Sequence, residues 1–150
     1  MNVDSKVQLT AIIAVEDDGR NLRSCLDALS RWVTEILIVC PQGQPMVAGE
    51  YEYPVLYHDS SDVRELWEAG IGKRKSPWCL LVRGHEVVTG QLRKSIVEKA
   101  EFRRNDSCAF PLPLVSVFLK KRLKYPLQWT GGECSRLVYI AENSSEANLS

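Results

Sequence analysis

The run Arg83-Gly84-His85-Glu86 puts three side chains of complementary chemistry within four positions. Arg83 carries a planar guanidinium whose paired N–H groups suit phosphate oxygens. It has no lone pair to offer a metal. His85 could ligate Mn²⁺ through an imidazole nitrogen, and Glu86 could reach the same ion through a carboxylate oxygen. As a metal site the pair alone is poor, and a solvated polar turn is the plain alternative. Glu16, Asp17 and Asp18 form a second acidic group. They could contact a polar ligand, or simply place negative charge at a helix N-terminus. Glu133, in the turn Trp129-Thr130-Gly131-Gly132-Glu133, is a general-base candidate, or else a surface carboxylate. Lys120, Lys121, Arg122 and Lys124 put four cations in five residues beside Leu123 and Tyr125. Such a stretch suits an anionic membrane surface, with a solvated face as its default.

These groups must be carried by regular elements. Val7 to Val15 is almost continuously apolar, which predicts a strand covered on both faces. Leu22, Cys25, Leu26, Leu29, Trp32 and Val33 follow with helical spacing, capped near Asp18 or Gly19. Ile36 to Cys40 is a second buried strand, stopped by Pro41-Gln42-Gly43. Strand, helix, strand within about 40 residues predicts a βαβ unit with parallel strands. A short strand over 54–58 comes next. Ser60, Ser61 or Asp62 then caps a helix that uses Val63, Leu66, Trp67 and Ile71, with Asp62 and Glu65 compatible with a capping-box variant. The cations after Gly72 suit a helix C-terminus.

Trp78 to Val82 is a buried strand that delivers Arg83, and Thr89 caps a helix through Leu92, Ile96, Val97 and Ala100. Further strands are expected over 108–112 and 136–140, and Pro111 and Pro113 place the former at an edge. In an open α/β sheet, ligands bind at the carboxyl ends of parallel strands, so Arg83, His85 and Glu86 sit where a site belongs. The fold expected is a three-layer α/β/α sandwich with a mostly parallel, Rossmann-like sheet.

At 150 residues, 45% hydrophobic and 25% charged, the chain has the make-up of one globular domain. The net charge of zero hides a division: residues 1–70 hold 5 Lys/Arg against 12 Asp/Glu, and residues 71–150 hold 14 against 7. The basic half could face a phosphate-rich ligand or an anionic surface, or pair with the acidic half. No apolar run reaches the roughly 20 residues of a membrane span. The five cysteines form no CxxC pair, which argues against structural zinc. Three of them lie in apolar runs as small hydrophobes, and an odd count fits a reducing, cytoplasmic setting. No nucleic-acid motif accompanies the basic stretch, so no nucleic-acid partner is expected.

Three segments together resemble a family 2 glycosyltransferase of the GT-A type, closest to bacterial enzymes of lipopolysaccharide-core synthesis. They are Leu9 to Val15 followed by Asn21-Leu22 and Cys25-Leu26; Ala69-Gly70-Ile71 with Trp78 to Thr89; and Trp129 with Arg136-Leu137 seven residues on. The resemblance covers residues 7 to 140. It implies one GT-A-like domain over 1–142, with a nucleotide-binding half at 7–100 and a partial acceptor half at 101–142, and a polar tail at 143–150.

It also implies a nucleotide-sugar donor, an envelope glycolipid or polysaccharide acceptor, transfer with inversion, and Mn²⁺ or Mg²⁺ held by an Asp-x-Asp motif at the inner face of the membrane. In this reading Arg83, His85 and Glu86 hold the diphosphate, with His85 and Glu86 as the metal candidates. Glu16 and Asp17 line the nucleoside side together with Cys40, Trp129 stacks on a sugar, Glu133 is the base and Arg136 supports the acceptor. The chain departs from the pattern where chemistry matters. Arg83-Gly84-His85 replaces Asp-x-Asp, Cys40 or Pro41 replaces a nucleoside-binding Asp, and Gly132 falls where an Asp is common. The second expectation is therefore a catalytically inactive GT-A-like module that serves as a binding or regulatory domain without cofactor.

Overall fold

The computed structural model describes residues 7–15, 22–42, 53–101, 106–112, 117–118, 121–122 and 135–141. They form an α/β domain around a mixed six-stranded sheet. Its strands are β1 (Val7–Ala14), β2 (Val33–Pro41), β3 (Val55–His58), β4 (Trp78–Arg83), β5 (Cys108–Pro111) and, last in the chain, β8 (Arg136–Tyr139). The order across the sheet is β3-β2-β1-β4-β8-β5. β1 pairs in parallel with both β2 and β4, and β2 with β3, while β8 runs antiparallel to its neighbours β4 and β5. A separate hairpin pairs β6 (Val117–Phe118) with β7 (Lys121–Arg122).

The long apolar run of β1 is explained by cover on both faces. Leu9, Ala11 and Ile13 face a core shared with Leu22, Cys25 and Leu26 of α1 (Leu22–Asp27) and with Ile96 and Ala100 of α3 (Gly90–Ala100). Ile12 and Ala14 face a second core built on Leu66, Trp67 and Ile71 of α2 (Val63–Ile71). Period-2 alternation along a strand divides the residues between the two cores. α2 comes close to the sheet because Gly70 has no side chain: a Cβ there would lie 2.4 Å from Ile12 Cγ2. Trp67 is fully buried, and its indole N–H donates to Val82 O at 3.0 Å, which satisfies its one polar atom.

The expected strands recur with shifted bounds; β2 begins three residues earlier than predicted, where Val7 lies opposite Val33. α1 ends at Asp27, short of the predicted stripe. The chain then tightens, with Leu29 N–H donating to Leu26 O and Trp32 N–H to Leu29 O. Leu29 and Trp32 stay buried in this winding without belonging to the helix, which is why their spacing looked helical. Asp62 is the N-cap of α2 and accepts from Arg64 N–H at 2.9 Å. Thr89 caps α3 by accepting from Leu92 N–H. Arg74 donates to Ile71 O at the end of α2, the contact expected of a cation at a helix C-terminus. β5, which carries Pro111, is an edge strand, as a proline in a strand favours. Among the described residues, no helix is long and apolar enough to cross a membrane.

Candidate functional site

The carboxyl ends of β1, β2, β3 and β4 share one edge of the sheet. Ala14 lies beside both Val39 and Arg83, and Pro41 beside His58. Past the last ladder pairs the chain is still tied down, with Val15 N–H donating to Val39 O and Gly84 N–H to Ala14 O, both at 2.9 Å. Gly84 is pressed against β1: a Cβ at this position would sit 3.1 Å from Val15 Cγ2. The small residue is what lets the turn after β4 fold directly over the end of β1.

Arg83-Gly84-His85-Glu86 closes on itself. Glu86 N–H donates to Arg83 O at 3.0 Å, and Glu86 Oε1 accepts the Arg83 backbone N–H at 2.8 Å. The same oxygen accepts the Ser135 hydroxyl. Cys25 Sγ–H donates to Arg83 O from the α1 side. Arg83 is 4% exposed, Glu86 8% and Ser135 4%, and only His85 is partly open. A buried carboxylate is tolerated when its oxygens accept good hydrogen bonds. Here one oxygen joins the end of β4 to the residue just before β8.

Cys40 is fully buried in the core beside α1, so its side chain is not offered to a ligand at the edge. The alternation of β2 points Ile36, Ile38 and Cys40 to the same side. Arg136 is half-buried on β8, opposite Leu81 and Pro111. Alternation puts it on the sheet face that carries Leu81 and Arg83, so the two arginines share a face. Glu16, Asp17, Trp129 and Glu133, together with Lys120 and Lys124, lie outside the described residues.

Among the described residues, the turn after β4 supplies few ligands for a hard divalent cation. Arg83 cannot ligate, and Glu86 Oε1 is already taken by a backbone N–H and a hydroxyl. Among the described residues, no three His, Cys, Asp or Glu side chains come together as a metal cluster. Thiol chemistry is equally unsuited. Burial, and next to it the charge of Glu86, pushes the Cys25 thiol up to about 12. Burial also pushes Cys79 to about 12, with Arg74 opposing and Glu35 adding to the shift. The Cys40 thiol is raised by burial too. Thiols of this kind stay protonated and are poor nucleophiles and ligands.

Among the described residues, grooves lie elsewhere. One of about 610 Å³ runs between the end of α1 and the start of α3, lined by Asp27, Arg31, Trp32 and Arg93 among others. Another of about 260 Å³ lies at the amino end of β2 beside Thr34, Glu35 and Lys75. Neither is lined by Arg83, His85 or Glu86. Ser135 is the participant that sequence reasoning missed. A lone serine before a strand carries no periodic signal, and its role appears only once β8 is paired antiparallel with β4. No protein-family model matches the chain, and a search of curated proteins finds no match.

Proposed function

We propose that this chain is a catalytically silent, glycosyltransferase-like module of the GT-A type, a binding or regulatory domain that has kept the scaffold and given up the metal site. The observation that carries the reading is the commitment of Glu86 Oε1 to Arg83 N–H and Ser135 Oγ–H, which makes the only carboxylate of the motif turn a structural clasp. Helices on both sheet faces and β1 set between two parallel neighbours support the finer assignment to a three-layer, Rossmann-like fold. The setting proposed is the cytoplasm, in keeping with the free thiols of Cys25, Cys40, Cys79 and Cys108.

Calorimetric titration with UDP-, GDP- and CMP-sugars, with and without Mn²⁺, tests the proposal. The expected result is no Mn²⁺-dependent binding. Saturable binding that requires Mn²⁺ and is abolished by Glu86→Ala or His85→Ala would overturn it. One observation favours a second reading, in which a diphosphate is held without metal: Arg83 and Arg136 share a face near this edge. That reading predicts Mn²⁺-independent binding that Arg136→Gln removes. The near-complete burial of Arg83 weighs against it.

A further inference from the structure

No further inference is drawn: the strongest candidate, the groove between the end of α1 and the start of α3 where Arg31 and Arg93 stand with Asp27, rests on exposed side chains beside a helix N-terminus, and nothing among the described residues points to a ligand there.

Discussion

Two carboxylates stand at opposite ends of the sheet and do nearly the same thing. At the amino end, Glu35 Oε1 accepts the Thr10 hydroxyl at 2.8 Å and the Lys75 backbone N–H at 3.1 Å, fastening β2 to β1 and to the connection that enters β4. At the carboxyl end, Glu86 Oε1 accepts the Ser135 hydroxyl and the Arg83 backbone N–H, fastening the exit of β4 to β8. One end is where ligands bind in sheets of this kind and the other is not. Their likeness teaches that position at the carboxyl edge is not enough to make an acidic residue a ligand. The difference is burial: Glu86 is 8% exposed, while Glu35 is only half-buried.

That difference sets the order of expected effects. Glu86→Ala leaves a backbone N–H and a hydroxyl without their shared acceptor inside the protein and should cost about 3 kcal/mol, read from the denaturant midpoint at constant m-value. Glu86→Gln keeps an oxygen that can accept both donors and should cost less than half as much. If the two variants are equally destabilised, the negative charge matters more than the acceptor geometry. Glu35→Ala should cost about 1 kcal/mol or less, because water can reach the donors it releases. An equal loss at the two ends would erase the comparison.

The smallest effect at neutral pH comes from the thiols. Cys25 and Cys79 have folded-state values of about 12 against 9.0 for a free thiol. A raised folded value means that the unfolded chain ionises first. Their stabilising contribution is therefore complete below 9.0 and is lost as pH climbs through about 12. Thermal unfolding followed in alkaline buffers should show stability flat up to 9.0 and falling above it, and Cys25→Ala should flatten the fall. In the native state, iodoacetamide should leave both thiols unmodified near neutrality.

Much of the scaffold was legible in the residues because burial on two faces writes a simple pattern. β1 and β4 are apolar over most of their length, and Trp32, Trp67 and Trp78 occupy core positions as their spacing requires. Thr89 and Asp62 act as caps because short oxygen-bearing side chains reach a helix's first free N–H groups. The turn at Arg83 was legible as a place but not as a function. Its carboxylate is held by a hydroxyl 49 residues after Glu86, and nothing in a single sequence marks a serine as the partner of a distant glutamate. Cys40 shows the same limit from the other side. Its place at the end of β2 was clear, and only the alternation of the strand in space reveals that its side chain turns inward.

The clasp itself is the central claim, and a double-mutant cycle measures it. Glu86→Ala, Ser135→Ala and the double variant are unfolded in urea under one set of conditions. The clasp predicts a coupling energy of about 1–2 kcal/mol, with the double variant clearly more stable than the sum of the single losses implies. Additive losses would mean that the two side chains act independently, and would contradict the account of the turn as a structural joint.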